Sequence, residues 1–538
     1  MNASPPLAIA LLSVSLVACS ANLPSQATTA PAAADTAAPK SGGVLNTVGD
    51  DLTDFDLSNQ GKTIENSRDH GLVYDTLLRF KRGPGAGFVS QILQPRLAER
   101  WEVSTDGRAF TYYLHRGAKF ADIPPVNGRE LTAADVKWSM EYYSRTGEMK
   151  DKKLPPSQMA PLYEGLEGID TPDPYTVRVR FKEAFAPFPN YSASQWMPIA
   201  AREVFEADGN LSKRLIGSGP YTLDLQNSQK DNRWVFTKNA NYWGPKPYLD
   251  SIRRLIIPDD STRQAAFLVK QVDILPIAGN YLSAVDVQKA NPAAVMVVNL
   301  NPSPRNLFLS QKSLPLQDIR VRKAISLGFD KDEYNTVWSG GKGAWGLTGS
   351  FPGLFTDAEA HEMLKFDPEQ AKRLLADAGY GGGLKLTMMP LSGTGVAEQL
   401  IQAQMKRIGI DITFVVLPRE QNRAKLYVGD FDMVPQGDGG INDADFDGLQ
   451  YSYYSESPQN WSVIKDPDLD KLVVAQRREA DPGKRRDAQR AVVKRINDMA
   501  WNPGGTFAAK VVFAQPYVKN YAPHFAIGED DAYAWLDK

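Results

Sequence analysis

The chain has 538 residues, enough for about three or four domain-sized units, and its composition is typical of a globular protein. It carries 61 basic and 63 acidic residues, for a formal net charge of -2. This near balance argues against a nucleic-acid-binding surface, which requires an excess of basic residues. Because Cys19 is the only cysteine, an intramolecular disulfide, a cysteine-based zinc site and a CxxC redox motif are excluded.

Cys19 ends an N-terminal apolar segment. Residues 7–18 form an uncharged run that is shorter than the roughly 20 residues needed to cross a bilayer and fits the apolar part of an export signal. The sequence Leu16-Val-Ala-Cys19 resembles a bacterial lipobox, whose cysteine is lipidated and becomes the mature N-terminus. The resemblance implies a signal peptide at 1–18 and lipidation of Cys19. The absence of Lys or Arg before the apolar run is unusual for such a signal, and an incidental apolar N-terminus is the alternative.

Residues 19–40 are rich in Ala, Pro, Thr and Ser and have no hydrophobic periodicity. Such a segment cannot bury enough apolar surface to fold. It is predicted to be a flexible tether between the lipid anchor and a folded body, with a reach on the order of 25 Å.

From Ser41 onward the chain alternates strand-like and helix-like segments, with no apolar segment long enough to cross a bilayer. Strands are predicted at 43–48, 110–115, 176–181, 233–238, 251–257, 294–300, 384–389 and 412–416. Helices are predicted at 132–143, 318–328, 367–378, 396–408, 467–478 and 483–499, with Thr132 and Asp367 as capping residues of the first and third. Mixed order without strict βαβ repetition predicts α/β domains with mixed sheets.

Catalytic motifs are scarce. The chain has 4 histidines, and His361-Glu362 lacks the second histidine that a metalloprotease helix requires. No G-x-S-x-G nucleophile motif and no phosphate-binding P-loop occurs. The acidic segment 438–447 lacks the ligand spacing of a calcium loop, so a solvated turn or an electrostatic site for a ligand ammonium fits it better than a metal site. No metal and no cofactor is expected.

Several long motifs follow one another along the chain. They are Pro95-Arg-Leu-Ala-Glu-Arg-Trp101, Phe110-Thr-Tyr-Tyr-Leu-His-Arg-Gly-Ala-Lys-Phe120, Leu131-Thr-Ala-Ala-Asp-Val136, Gly217-Ser-Gly-Pro-Tyr221, Asn241-Tyr-Trp-Gly-Pro-Lys-Pro247, Gln271-Val-Asp-Ile274, Asp318-Ile-Arg-Val-Arg-Lys-Ala-Ile325, Phe366-Asp-Pro-Glu-Gln-Ala-Lys372 and Asp466-Pro-Asp-Leu-Asp470. With these motifs in this order, nearly all of the chain after residue 40 resembles the extracellular solute-binding proteins of family 5, the peptide, opine and nickel type that serves ABC importers.

The resemblance implies a two-lobed α/β periplasmic-binding-protein fold of the large-ligand type, with an extra α+β domain inserted in the first lobe. The first lobe would comprise 41–73, 190–277 and 506–538, the inserted domain 74–189 and the second lobe 278–505. Ligand would be enclosed between the lobes by hinge closure. A monomer is expected.

The resemblance also points to an aspartate for the ligand's ammonium group. Peptide-binding members place it in a W-x-x-D-x-x-D-P-like loop, and Asp438 is the best match. The loop here is longer, lacks the tryptophan and has Ala444 in place of the proline. A solvated aspartate in a glycine-rich turn is the alternative.

Candidate contacts for the ligand's carboxylate differ from those of dipeptide-binding members, which carry an arginine after the strand predicted at 384–389. This chain has no arginine at 390–395, so Arg419 and Arg305 are the alternative anion contacts. For both, a structural or surface arginine is the competing interpretation. Trp461 is a candidate for the wall of the cleft or, equally, for the core.

The leading hypothesis is a lipid-anchored, extracytoplasmic binding subunit that captures a peptide-like solute and delivers it to an ABC permease and ATPase complex, without chemistry of its own. An envelope hydrolase acting on peptides or peptidoglycan is a second hypothesis, which the scarcity of histidine disfavours. A ligand sensor or chaperone that uses the same cleft is a third.

Overall fold

The computed structural model describes residues 38–538, apart from 53, 57, 59–63, 83–85, 89, 158, 278–280, 303, 391–394, 438–447 and 526–530. Its strands are β1 (Val44–Gly49), β2 (Leu78–Phe80), β3 (Leu93–Pro95), β4 (Ala98–Val103), β5 (Ala109–Leu114), β6 (Leu166–Asp173), β7 (Thr176–Phe181), β8 (Tyr221–Leu223), β9 (Arg233–Lys238), β10 (Ser251–Ile256), β11 (Ile274–Pro276), β12 (Val295–Leu300), β13 (Arg305–Leu309), β14 (Ala344–Trp345), β15 (Leu384–Met388), β16 (Ile410–Phe414), β17 (Met433–Gly437), β18 (Thr506–Phe507), β19 (Ala509–Ala514), β20 (Val518–Lys519) and β21 (Trp535–Leu536).

The helices are α1 (Ile64–Val73), α2 (Ala133–Ser144), α3 (Phe188–Tyr191), α4 (Arg202–Asp208), α5 (Asp260–Leu268), α6 (Tyr281–Ala290), α7 (Leu314–Gln317), α8 (Ile319–Gly328), α9 (Lys331–Ser339), α10 (Asp357–Met363), α11 (Pro368–Asp377), α12 (Val396–Arg407), α13 (Arg419–Tyr427), α14 (Gly448–Tyr453), α15 (Pro467–Arg478) and α16 (Pro482–Asp498). Short 3-10 turns lie at Gly147–Met149 and Ala160–Tyr163. Within the described part of the chain, no helix combines the length and apolar character that spanning a membrane demands.

Lobe I is built on a seven-stranded mixed sheet with the order β12-β19-β11-β1-β10-β9-β8. The central strand β1 pairs in parallel with β10 and β11, whereas β19 runs antiparallel to both β11 and β12. A buried arginine ties this sheet to its surroundings: Arg254 Nε lies 2.7 Å from Asp69 Oδ1 of α1, and Nη1 also pairs with Asp531 near the C-terminus. The sheet thus gathers strands from both ends of the described chain.

The inserted domain, called the insert below, has a four-stranded antiparallel sheet with the order β4-β5-β7-β6. In β5 and β7, buried residues alternate with less buried ones, as expected for strands that cover a core on one face. The buried side chains of the insert belong to the same apolar cluster as those of lobe I, including Phe110 and Val179 from the insert and Leu45 and Ile252 from lobe I. The insert and lobe I therefore form one body.

Lobe II has its own four-stranded sheet, β13-β17-β15-β16, and separate apolar clusters. Local signals start its helices, at Asp367 as predicted and also at Asp466. Asp367 accepts a hydrogen bond from the backbone N–H of Gln370 at 2.8 Å, and Asp466 accepts one from that of Leu469 at 3.2 Å. In each case a proline follows the capping aspartate and enters the first turn without losing a hydrogen bond.

The mixed α/β class and the two-lobed architecture agree with the expectation from sequence, and the predicted strands and helices lie within a few residues of those observed. The lobe connections lie elsewhere than expected. β12 still belongs to the lobe I sheet although it follows residue 277, so the chain crosses to lobe II between β12 and β13. On the return, β18 pairs with β14 of lobe II, and the lobe I sheet resumes only at β19.

Candidate ligand-binding site

Three loops of lobe II emerge on the same side of its sheet. β15 pairs in parallel with β16 and with β17, so the segments that follow these three strands leave from the carboxyl ends of parallel strands. In open α/β sheets this edge is where ligands bind. Because β13 runs antiparallel to β17, the start of β13, where the chain enters lobe II, lies at the same edge.

Arg305 is the first residue of β13 and is paired in register with Gly437, the last residue of β17. The backbone that leads into Asp438 therefore runs beside Arg305. Asp438 itself lies outside the described residues, so its predicted contact with a ligand ammonium stays a prediction.

The Arg305 side chain is half-buried and has no carboxylate within 4.0 Å among the described residues. Its guanidinium carbon lies 5.5 Å from the centre of the Trp338 ring, close enough for a cation–π contact. Burial raises the pKa of Tyr334, and the neighbouring Arg305 charge and hydrogen bond oppose part of that rise. Arg305 thus has aromatic and hydroxyl partners but a positive charge that no described carboxylate neutralises.

Arg305 also borders a small pocket of about 210 Å³, a volume that includes space open to solvent. The other lining residues are mostly apolar and belong to β13, β17, α9, α12 and the residue after α8: Asn306, Leu307, Phe329, Tyr334, Ile401 and Pro435. A half-buried cation beside apolar walls suits an anionic group, because the low polarity of the walls strengthens its attraction to the guanidinium.

Asn422 of α13 holds two of the loops at this edge, a role that the sequence did not reveal. Its side-chain amide nitrogen lies 3.3 Å from the carbonyl oxygen of Pro390, after β15, and 3.2 Å from that of Leu417, after β16. Its side-chain oxygen is buried and has no hydrogen-bond partner among the described residues. A buried asparagine is hard to distinguish from a surface one by sequence, since no local pattern marks it.

Trp461 is packed in an apolar cluster toward the end of β13 and the end of α13. It is 8% exposed, and its ring centre lies 5.5 Å from that of Phe308 and 6.3 Å from that of Tyr427. The cluster also contains Leu426 and Val434. Its indole N–H has no hydrogen-bond partner in the described part of the chain. The sequence allowed Trp461 to line the cleft or to lie in the core. Its packing is that of a core residue, although its indole N–H could still donate a hydrogen bond.

Arg419 is the first residue of α13, directly after the loop that follows β16, and is therefore placed at the same edge by its backbone. The structure does not describe the side chain of Arg419, so its predicted anion contact stays a prediction. The structure thus brings Arg305, the start of α13 and the backbone that leads to Asp438 to one edge of lobe II. Across the residues described, no cluster of three or more His, Cys, Asp or Glu side chains could hold a metal ion.

Two α/β lobes, joined by separate crossings of the chain and with loops of one sheet at the joint, define a solute-binding protein of the periplasmic type. The profile of the bacterial extracellular solute-binding proteins, family 5, matches residues 93–461. This chain belongs to that family.

Among characterised relatives, the dipeptide-binding protein of Escherichia coli (strain K12) is 27% identical over 481 residues, which cover 84% of this chain and 86% of the relative. The structure of DppA, an ABC transporter-associated periplasmic binding protein from Helicobacter pylori in complex with the peptide STSA, matches with a TM-score of 0.80 and 25% identity, covering 93% of this chain and 99% of that one. A dipeptide-binding protein from Pseudoalteromonas sp. SM9913 in complex with Met-Leu shares the fold, with a TM-score of 0.76, 19% identity and coverage of 92% and 100%.

Proposed function

We propose that the protein captures a peptide-like solute between lobe I and lobe II by hinge closure and delivers it to the permease and ATPase of an ABC importer. The observation that carries the proposal is the guanidinium of Arg305, which no described carboxylate neutralises and which lies at the joint between the lobes, beside the backbone that leads to Asp438. A peptide has an ammonium at one end and a carboxylate at the other, so a cation and an anion at one edge of the cleft match its two charges.

In this proposal Asp438 pairs with the ligand ammonium and Arg305 with the ligand carboxylate, while Arg419 is the alternative anion contact. Trp461 packs against Phe308 as a core residue, and its indole N–H is the atom that would reach a ligand if this side chain contributes to the cleft. The protein acts as a monomer and catalyses no reaction. The relatives that bind a dipeptide or the peptide STSA support short peptides as the solute class.

The experiment is a ligand panel measured by thermal shift and isothermal titration calorimetry, with small-angle X-ray scattering to detect closure. The panel contains the peptide STSA, the dipeptide Met-Leu, an opine, a sugar phosphate and a metal chelate. We expect a peptide to raise the melting temperature and to lower the radius of gyration. Stabilisation by the opine or the chelate alone would replace the peptide assignment, and stabilisation by no compound would refute the proposal.

We propose further that Cys19 carries the lipid anchor and that residues 19–40 tether the folded body to the membrane. Expression in a bacterial host with radiolabelled palmitate should label the wild-type protein and leave Cys19→Ser unlabelled. Label retained in Cys19→Ser would contradict this assignment.

A further inference from the structure

The insert touches lobe II at a place remote in sequence from both chain crossings between the lobes. The contact involves the end of α15 and the residues after it on lobe II, and the segments before β6 and after β7 on the insert. Because the insert shares its apolar core with lobe I, this contact joins the two bodies that closure must bring together.

Glu164 of the insert is held by two donors from lobe II. Its Oε2 atom lies 2.8 Å from Arg477 Nη1 and 2.6 Å from Gln450 Nε2. A second ion pair joins Arg478 of lobe II to Glu183 of the insert. In both pairs the charges are complementary, with carboxylates on the insert and guanidinium groups on lobe II.

The backbone takes part as well. The N–H of Ala186 in the insert donates to the carbonyl oxygen of Arg477 at 3.0 Å. A carbonyl in the last turn of a helix has no hydrogen-bond partner within the helix. The Arg477 carbonyl can therefore accept this hydrogen bond without loss of any backbone hydrogen bond within α15. The Arg477 guanidinium carbon also lies 4.4 Å from the centre of the Phe185 ring. Gly107 of the insert lies next to Ala480 of lobe II, since a Cβ placed on Gly107 would be in van der Waals contact with the Ala480 Cβ at 3.6 Å.

The character of this contact differs from that of the interface between the insert and lobe I. The latter is a continuous apolar core, which cannot open without exposing large side chains to water. The contact with lobe II is polar: the carboxylates of its ion pairs are largely exposed, 56% for Glu164 and 61% for Glu183, and Arg478 is 50% exposed, whereas Arg477 is 14% exposed. Exposed ion pairs of this kind contribute little each and re-solvate easily. The contact is therefore suited to form and break repeatedly.

We propose that this contact is a closure latch, in which Glu164, Glu183, Arg477 and Arg478 are positioning residues that stabilise the closed form without touching the ligand. The inference rests on the proposed function, because it assigns to the latch a share of the ligand affinity. The latch holds the insert and lobe I against lobe II after closure, and so slows the escape of the ligand more than it speeds its capture.

The test variant is Glu164→Gln with Glu183→Gln, which removes both carboxylates from the exposed side of the latch and leaves the partly buried Arg477 intact. The matched control is Arg180→Gln, since Arg180 pairs with Asp170 at 3.0 Å within the insert and is also exposed. A charge swap, Glu183→Arg with Arg478→Glu, restores one ion pair in reverse and should recover part of the loss.

With the peptide STSA as probe, we expect the dissociation rate of the double variant to rise about two- to tenfold over wild type, whereas the control stays within about 1.5-fold. The melting temperature without peptide should change equally little in the double variant and the control. In scattering without peptide at low salt, the double variant should have a larger radius of gyration than wild type. High salt should remove that difference by screening the exposed pairs.

Equal dissociation rates and equal radii of gyration for wild type and the double variant would overturn the latch and leave the proposed function standing. If STSA binds to none of the proteins, this peptide is excluded as a ligand and the proposed function is weakened. The salt-dependent scattering of the peptide-free proteins still decides whether the latch exists.

Discussion

Arg305→Gln tests the assignment of the ligand carboxylate. The side chain has no carboxylate within 4.0 Å in the described structure, so a ligand carboxylate would be its only close counter-charge there. Two unit charges about 4 Å apart at an effective dielectric constant near 20 attract by about 4 kcal/mol. Desolvation of the carboxylate offsets part of this attraction. We therefore expect Arg305→Gln to lose about 2–3 kcal/mol of binding free energy, which raises Kd roughly 30- to 150-fold.

The assay compares the peptide STSA with its C-terminal amide by isothermal titration calorimetry. The wild-type protein should bind the peptide with a free C-terminal carboxylate roughly 30- to 150-fold more tightly than the amide. Arg305→Gln should bind the two peptides with equal affinity. Arg305→Lys keeps the charge but loses the planar, two-pronged donor, so it should retain part of the preference. If Arg305→Gln still prefers the acid as strongly as wild type, the carboxylate contact is elsewhere, and the same comparison on Arg419→Gln identifies it.

Three further predictions concern charge. Burial lowers the pKa of Lys331 to about 7, so the unfolded chain binds more protons than the folded one between about pH 7 and 10. The free energy of unfolding of wild type should then rise by up to about 1.4 kcal/mol per pH unit relative to Lys331→Met in urea titrations, and a difference independent of pH would contradict this. Arg254→Met leaves Asp69 buried without its guanidinium and should cost about 3–5 kcal/mol of stability, whereas Arg180→Met, at an exposed position, should leave stability nearly unchanged; equal losses would contradict the buried pair. Asp438→Asn should weaken binding of the dipeptide Met-Leu by at least about tenfold in calorimetry, and unchanged affinity would assign the ammonium contact elsewhere.

Elements with a local signal could be predicted from the sequence. An aspartate followed by proline starts α11 and α15, and each capping carboxylate bonds the first turn of its own helix. The information is contained within a few residues, so no knowledge of the rest of the fold is needed. The two-lobed architecture, by contrast, came from the resemblance and not from these local patterns.

The features that fix the site depend on pairings between distant segments. The position of β12 in the lobe I sheet is set by its partner β19, and the approach of Arg305 to the end of β17 is set by the register of β13. The two roles considered for Trp461 could not be separated, because the side chains around it, such as Phe308 and Val434, come from other strands. Sequence patterning gives the faces of a strand but not its neighbours.

The division between apolar and polar contacts suits the proposed closure, which requires a chain that is rigid within its bodies and mobile between them. The insert and lobe I share a core, so a force on the insert acts on lobe I as a whole. Lobe II is connected to them by two chain crossings, by the packing of α6 against α9 and by the polar contact at the end of α15. A ligand can shift an open–closed equilibrium only by as much as its affinity differs between the two forms. In the proposed function, a weak latch keeps that equilibrium near balance, so that a ligand touching both lobes would close the protein and a permease separating the lobes would release the ligand.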